Sequence, residues 1–248
     1  MAKDLFSTQA DRYAKYRPTH PQELFDYIFQ FVNQKECAWD CATGNGQAAD
    51  MLADHFKTVE ATDISEAQLK NATLKENIHY QVAPAEQTPF ADNSFDLITI
   101  ATAYHWLDWK AFHREATRVG KNNCVVAAWS YHVFYSTDQS ITNIIQHFYH
   151  NVIGPYWDKE RKYVDDRYTT VDFQFAPLPS KDFGLVKHWN REDFLGYLST
   201  WSSVQHYVKQ HRSSPFHAIA DALKKEWPGN DIKEFHFPLF LRIGRVIK

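Results

Sequence analysis

Residues 39–47 read WDCATGNGQ, and this stretch decides the fold. Asp40 precedes the glycines Gly44 and Gly46, and the next apolar run of the chain ends in a second acid, Asp63. A strand that ends in an acid, a glycine turn, a helix and another acid-ended strand are typical of a nucleoside-binding βαβ unit. The glycines let the backbone approach a ligand closely, because a Cβ would occupy that space. Asp63 then lies where a carboxylate accepts both ribose hydroxyls.

Short β-rich runs alternate with helical segments through the first half of the chain. The runs lie near 36–41, 58–63, 78–83, 95–101 and 123–130, and the helices near 47–55, 65–73 and 108–118. A further helix over residues 21–34 has apolar positions at helical spacing and should lean on the sheet. This alternation predicts an α/β fold whose parallel strands are joined by right-handed crossovers.

The rhythm changes after residue 131. A helix is expected over 141–152, followed by a stretch rich in Tyr, Asp and Arg that runs to residue 179. That stretch is too long for an ordinary connection and indicates a lid or a substrate-binding insertion. Residues 183–186 could form a strand, residues 191–210 and 215–227 read as helices, and residues 235–247 read as an antiparallel last strand. We expect one domain over residues 1–248, with a helical cap or insertion at about 132–230.

Composition excludes several classes of protein. The 248 residues carry 27 Lys and Arg against 30 Asp and Glu, a net charge of −3, and no basic block, so we expect no nucleic-acid partner. No apolar run is long enough for a bilayer, and the first residues are polar and charged, so we expect no membrane partner and a cytoplasmic protein. Cys37, Cys41 and Cys124 lack metal-ligand spacing and read as reduced, buried thiols, and no metal site is expected.

The glycine stretch resembles the first motif of the class I S-adenosylmethionine-dependent methyltransferases, which reads acid-x-Gly-x-Gly-x-Gly. Asp40, Gly44 and Gly46 match this motif, and Ala42 stands where the family has its first glycine. The resemblance implies a Rossmann-like sheet that is mostly parallel with one antiparallel strand and has helices on both faces. It also implies S-adenosyl-L-methionine as the cofactor.

Three further stretches are similar to this family. Residues 81–98, QVAPAEQTPFADNSFDLI, resemble its third-strand turn and its entry into strand four. Residues 102–106, TAYHW, and residues 6–18, FSTQADRYAKYRP, resemble a small-molecule subgroup, the type 11 and trans-aconitate methyltransferase-like proteins. Roughly the first 130 residues are covered by this likeness.

The resemblance assigns a set of residues to the cofactor. Asp40 would orient the methionine end through the glycine loop, Ile64 would pack on the adenine, and Arg17 would pair with the methionine carboxylate. Tyr13 would lie on an N-terminal lid that closes over the cofactor. The complete set is Tyr13, Arg17, Asp40, Ala42, Gly44, Gly46, Asp63, Ile64, Ala85, Glu86 and Thr102.

The acceptor site is expected among aromatic residues after strands four and five. Its candidate wall residues are Tyr104, Trp106, Trp129 and Trp201. His105 is the candidate catalytic base for a hydroxyl acceptor. A carboxylate acceptor needs no base, because it is already ionised near neutral pH.

The sequence therefore predicts methyl transfer to a small molecule, at a carboxylate or hydroxyl oxygen, by in-line displacement. A protein that binds the cofactor without turnover is an open alternative. An NAD-dependent oxidoreductase is disfavoured, because the loop lacks the third glycine of the dinucleotide fingerprint. Nucleic-acid methylation is disfavoured as well, because no Asp/Asn-Pro-Pro-aromatic element follows strand four. The oligomeric state cannot be read from the sequence.

Overall fold

A computed structural model describes residues 16–229 and 231–248. Tyr13 and the rest of the expected lid before residue 16 lie outside this range. The α-helices are α1 Gln22–Phe29, α2 Gln47–Ala53, α3 Glu66–Leu69, α4 Trp109–Val119, α5 Gln139–His147, α6 Arg161–Asp165, α7 Arg191–Ser199, α8 Ser202–His211 and α9 His217–Glu226. The strands are β1 Cys37–Cys41, β2 Thr58–Asp63, β3 Ile78–Val82, β4 Phe95–Ala101, β5 Gly120–Tyr131, β6 Tyr135–Ser136, β7 Ala176–Pro177, β8 Asp182–Trp189 and β9 Lys233–Arg245. Short 3₁₀ turns at Tyr104–Trp106 and Gly154–Tyr156 and a π-helical turn at Phe148–Val152 complete the described elements.

The strands form one sheet in the order β3-β2-β1-β4-β5-β9-β6. Strands β1 to β5 pair in parallel, and β9 runs antiparallel to β5, with Trp129 opposite Leu241. The predicted α/β class, the five parallel strands and the antiparallel last strand are confirmed. A sheet of this topology places the carboxyl ends of its parallel strands along one edge, where open α/β sheets bind ligands.

The segment between β5 and β9 differs from a purely helical cap. Strand β8 pairs antiparallel with β9 from Asp182 to Trp189, and β6 and β7 also pair with β9. Without these partners, β9 would leave the backbone groups of one edge unpaired. The insertion therefore extends the sheet as well as covering its edge with helices.

Alternation along the strands builds a core on each face of the sheet. Ala38 joins one buried cluster and its neighbour Trp39 joins the other. The first cluster takes Leu24 and Phe25 of α1, which leans on the sheet as predicted, and the second takes Phe112 of α4. Helices therefore cover both faces, as the sequence pattern indicates.

The loop between β1 and α2 contains three residues with a left-handed backbone. Ala42, Gly44 and Gly46 have φ values of 55°, 57° and 80°, all in the left-handed region. An alanine there is strained because its Cβ crowds the backbone, and this explains why glycine is the usual residue at the Ala42 position of the motif.

We expect Ala42→Gly to stabilise the fold by about 0.5–1 kcal/mol, the left-handed strain that it relieves less the entropy that glycine adds to the unfolded chain. Denaturant unfolding measures this change. Ala220→Gly, at an exposed position of α9, is the control and should destabilise by about 1 kcal/mol. A destabilisation by Ala42→Gly of the same size as the control would contradict the strain.

Candidate active site

One cavity of about 170 Å³ opens at the carboxyl ends of the parallel strands and continues beneath the insertion. Residues after β1, β2, β3 and β4 line its first half, and His105, the last residues of β5 and residues of the insertion line its second half. The first half comprises Ala42, Gly44, Asp63, Ile64, Ser65, Gln68, Ala83, Ala85, Glu86, Thr102, Ala103, Trp106 and Leu107. The second half comprises His105, Ser130, Tyr131, His132, Val133, Phe134, Tyr149, Trp157, Asp158, Arg161, Tyr197, Trp201 and Ser202, and Arg17 lies beside it.

Gly44 and Asp63 form the centre of the first half. The Gly44 N–H donates to Oδ2 of Asp63 at 2.8 Å, and the Ser65 N–H donates to Oδ1 at 2.8 Å. A Cβ on Gly44 would meet only Oε1 of Gln68, at 4.0 Å, so the space over this glycine is open on the cavity side. The Asp63 carboxylate lines the cavity, and a carboxylate oxygen can accept more than one hydrogen bond.

Gly46 and Asp40 do not line this cavity. A Cβ on Gly46 would lie 2.3 Å from Oη of Tyr80, so the space that this glycine leaves is filled by a tyrosine and not by a ligand. The expectation that Gly46 makes room for the cofactor is corrected accordingly. Asp40 is fully buried and accepts from Oγ1 of Thr99 at 2.8 Å and from the Ala49 N–H at 3.1 Å. Its influence on a ligand passes through the loop.

A smaller cavity of about 50 Å³ adjoins the glycine loop on the side away from Asp63. Arg17, His20, Gly44 and Thr102 are among its lining residues. Nη2 of Arg17 donates to the Thr200 carbonyl at 3.2 Å, which ties this arginine to the insertion.

Aromatic rings form most of the second half of the main cavity. Trp201 contacts Tyr149, Trp157 and Tyr197 at ring-centroid distances of 5.7, 5.5 and 5.8 Å. The prediction that Trp201 and Trp106 face this cavity agrees with their positions. Such a wall offers flat apolar surface and excludes water.

Arg161 of α6 brings a cation into this aromatic half. Its Nε donates to Oη of Tyr149 at 2.7 Å and to Oδ1 of Asp165 at 3.2 Å. Its Cζ lies 5.4 Å from the Tyr149 ring centroid and 4.9 Å from that of Trp157. Among residues 16–229 and 231–248, neither Nη atom has a hydrogen-bond acceptor.

His105 is held in place by a hydrogen bond between its ring and a tyrosine of the insertion. Its Nδ1 lies 2.8 Å from Oη of the fully buried Tyr168. Burial, aided by the charge of Arg161, lowers the pKa of His105 from 6.5 to about 3. The imidazole is therefore neutral at physiological pH, and its affinity for a proton is weaker than the sequence suggested.

Tyr104 and Trp129 are not part of the acceptor wall, which corrects their predicted role. Both side chains are 0% exposed, and neither lines the cavity. Oη of Tyr104 lies 2.8 Å from Nε2 of His113 and donates to the Asp172 carbonyl. These contacts anchor the 3₁₀ turn that also carries His105. Trp129 donates instead to His20 and packs against Phe25 of α1, whereas Tyr131, two residues further along the same face of β5, lines the cavity.

Several lining residues were not predicted individually. Tyr149, Trp157, Arg161 and Tyr197 all come from the insertion, which the sequence identified only as a stretch rich in aromatic and charged residues. For Tyr149, Trp157 and Arg161 the signal was the density of Tyr, Trp and Arg between residues 149 and 168, and Tyr197 lies outside that stretch.

No group of three or more His, Cys, Asp or Glu side chains within ranges 16–229 and 231–248 could hold a metal ion. No helix in the same ranges is long and apolar enough to cross a membrane.

Comparison with known proteins agrees with this geometry. A sequence family described as a methyltransferase domain matches residues 39–128. A Dictyostelium discoideum protein named "putative methyltransferase" is 30% identical over 98% of this chain and 95% of its own length. A ubiquinone/menaquinone biosynthesis C-methyltransferase of Rickettsia prowazekii is 34% identical, but over only 41% of this chain and 48% of its own length.

A solved structure has the same architecture over nearly the whole chain. It is described as a "putative type II methyltransferase" from Anaeromyxobacter dehalogenans, and its TM-score is 0.85 at 32% identity, covering 94% of this chain and 99% of that one. With the glycine loop, Asp63 and the sheet order, these likenesses show that the chain belongs to the class I S-adenosylmethionine-dependent methyltransferases.

Proposed function

We propose that this enzyme transfers the methyl group of S-adenosylmethionine to a carboxylate oxygen of a small organic acid. The observation that carries the proposal is the guanidinium of Arg161, which lines an aromatic cavity without an acceptor for its two Nη groups among the described residues. This cation shares one cavity with the glycine loop and Asp63.

The first half of the cavity suits the nucleoside of the cofactor. The Asp63 carboxylate lines this half and is an acceptor group suited to ribose hydroxyls, and Ile64 and Ala85 provide apolar surface for adenine. Glu86 lines the same region, and its Oε1 already accepts from the Asp108 N–H at 3.0 Å, which fixes its position. Thr102 and Ala42 border both cavities, between the nucleoside end and Arg17. These residues therefore fit the cofactor that the family uses.

Arg161 favours an anionic acceptor. A guanidinium is charged at every physiological pH, and that of Arg161 already forms an ion pair with Asp165. Asp165 and Tyr149 occupy its Nε edge. The Nη groups are thus left to bind a carboxylate, for which the planar fork of arginine is well matched.

The lining of the cavity favours a small acceptor. Rings such as Trp157 and Tyr197 enclose the acceptor half. A net charge of −3 without a basic block gives no surface for a polyanion.

His105 favours a carboxylate over a hydroxyl. A general base works best when its pKa lies near the working pH. Burial has moved the pKa of His105 to about 3, so it takes a proton from a hydroxyl only weakly. A carboxylate is already ionised, and the role left to His105 is to shape the cavity beside Arg161.

When bound, the cofactor supplies a methyl group that its positively charged sulfur activates toward displacement. Arg161 would hold the acceptor anion, and the walls around Trp201 would keep water away from it. The loop at Gly44 and the carboxylate of Asp63 would fix the nucleoside. Alignment of two reactants can supply roughly 7–11 kcal/mol of a barrier, so positioning alone suffices for much of the rate.

Gly44→Val should abolish binding of S-adenosylhomocysteine while the protein stays folded, because the branched side chain resists a φ of 57° and enters the cavity. Calorimetry measures the affinity and circular dichroism the fold. Gly184→Val on β8 is the matched control, since a Cβ there has no atom within 4 Å. Unchanged affinity in Gly44→Val would refute the cofactor assignment of this loop.

Arg161→Gln should raise the KM for a carboxylic acid by about ten- to a hundredfold, since it removes charge-assisted hydrogen bonds, and should leave the affinity for S-adenosylhomocysteine unchanged. Labelled-methyl transfer to a panel of small carboxylic acids and phenols measures this. Arg167→Gln is the control, because Arg167 pairs with Asp182 at the surface, outside the cavity. Equal turnover of carboxylic acids by Arg161→Gln and the wild type would overturn the proposal.

His105→Asn should change the turnover of a carboxylic acid less than about tenfold, whereas loss of a required general base costs about 10²–10⁴. A fall in turnover of about 10²–10⁴ would instead indicate a hydroxyl acceptor.

The pH dependence of stability tests the state of His105 separately. The pKa of His105 is about 3 in the folded protein and 6.5 in the ordinary case, so below pH 6.5 the unfolded chain binds the proton and the folded chain does not. The free energy of unfolding therefore decreases as the pH falls from 6.5 toward 3. Denaturant unfolding should show a smaller decrease for His105→Asn than for the wild type.

A further inference from the structure

His20 lies just before α1, beside the loop of Ala42 and Gly44. Its ring is half-buried, and it meets the edge of Trp129 at 5.4 Å and 87° and lies parallel to Tyr131 at 6.0 Å and 11°. The same ring lines the smaller cavity next to the glycine loop. Its position was not singled out by the sequence.

The neighbours of His20 decide which nitrogen carries the hydrogen. Nε1 of Trp129 donates to Nδ1 of His20 at 3.2 Å. An indole N–H can only donate, so Nδ1 must be the acceptor and the hydrogen of the neutral ring must lie on Nε2. Oη of Tyr131 lies 2.9 Å from the same Nδ1 and can donate to the Thr19 carbonyl at 3.1 Å. Burial also lowers the pKa of His20 to about 4, so the ring stays neutral at physiological pH.

The Nε2–H of His20 has no acceptor among the residues that the structure describes. Nδ1 is turned toward Trp129 and Tyr131, and the ring borders the cavity that it shares with Arg17, Gly44 and Thr102. A fixed N–H donor next to a guanidinium suits an anionic group and disfavours an ammonium, which itself only donates.

The two cavities meet at the glycine loop, with Asp63 on one side and His20 on the other. If the ribose lies at Asp63, the amino-acid part of the cofactor extends past Gly44 toward His20 and Arg17. We propose that His20 binds the cofactor, its Nε2–H donating to the carboxylate of the methionine moiety. This inference rests on the proposed use of S-adenosylmethionine.

His20 thereby distinguishes the complete cofactor from a nucleoside that lacks the amino acid. Trp129 acts as a positioning residue, because its indole holds the His20 tautomer and reaches no ligand itself. Trp129, which the sequence assigned to the acceptor wall, would thus act on cofactor binding through His20.

Calorimetry with two ligands tests the inference. S-adenosylhomocysteine carries the amino acid, whereas 5′-methylthioadenosine has the same nucleoside and sulfur without it. His20→Asn keeps an oxygen near the Nδ1 position that can accept from Trp129, and it has no atom at Nε2. We expect it to weaken S-adenosylhomocysteine binding by about ten- to a hundredfold and to change methylthioadenosine binding less than about twofold. His20→Gln, whose amide reaches the Nε2 position, should restore most of the affinity.

His79→Asn is the matched control, because His79 is exposed on β3 and pairs with Glu60. It should leave both affinities unchanged. Equal weakening of the two ligands by His20→Asn, or weakening of neither while the wild type binds S-adenosylhomocysteine, would overturn the role of His20 alone. Failure of the wild type to bind S-adenosylhomocysteine would overturn the proposed function and this inference together.

Discussion

The buried carboxylate of Asp40 holds the loop on which the rest of the site depends. It joins the end of β1 to Thr99 of β4, to Thr43 of the loop and to the Ala49 N–H of α2. Burial raises the pKa of Asp40 to about 6, against the hydrogen bonds that favour its ionised form. These bonds hold the loop in which Ala42, Gly44 and Gly46 are left-handed, and they aim the Gly44 N–H at Asp63. A ligand that lies on this loop therefore depends on a group that it never touches.

From this loop the cavity extends in two directions with different chemistry. Toward Asp63 the walls come from the ends of parallel strands, and their spacing follows from sheet geometry. Toward Arg161 the walls come from the insertion, whose rings pack on one another and on Phe134 and so hold the guanidinium in a largely apolar setting. The ends of the parallel strands form the half that we assign to the cofactor, and the insertion forms the half that we assign to the acceptor.

Much of the fold could be predicted from the sequence, because strand and helix periodicity is local. The five parallel strands, α1 and the antiparallel β9 all follow from such patterns. The pairing of β8 with β9 did not, since it joins distant segments through backbone hydrogen bonds that leave little trace in side-chain pattern.

The residues of the candidate site were also predicted only in part. Gly44 and Asp63 were identified because a motif fixes their spacing in the chain. Trp129 and Tyr104 were assigned to the cavity wall because the sequence does not show how far along one face of β5 the cavity reaches, or which way a short 3₁₀ turn directs its ring. Arg161 and His20 could not be identified from the sequence alone. Their proposed roles depend on the Nη groups of Arg161 and the Nε2–H of His20, which have no acceptor among the described residues, and only the packed structure shows this.

The most direct measurement is the identity of the methylated atom. Wild-type protein incubated with carbon-13-methyl S-adenosylmethionine and a mixture of small carboxylic acids and phenols should yield a labelled methyl ester, recognised by NMR and by its release in alkali. A labelled methyl ether would show that the acceptor is a hydroxyl. Transfer to nucleic acid or protein with none to the mixture would contradict the small-acid acceptor that Arg161 implies.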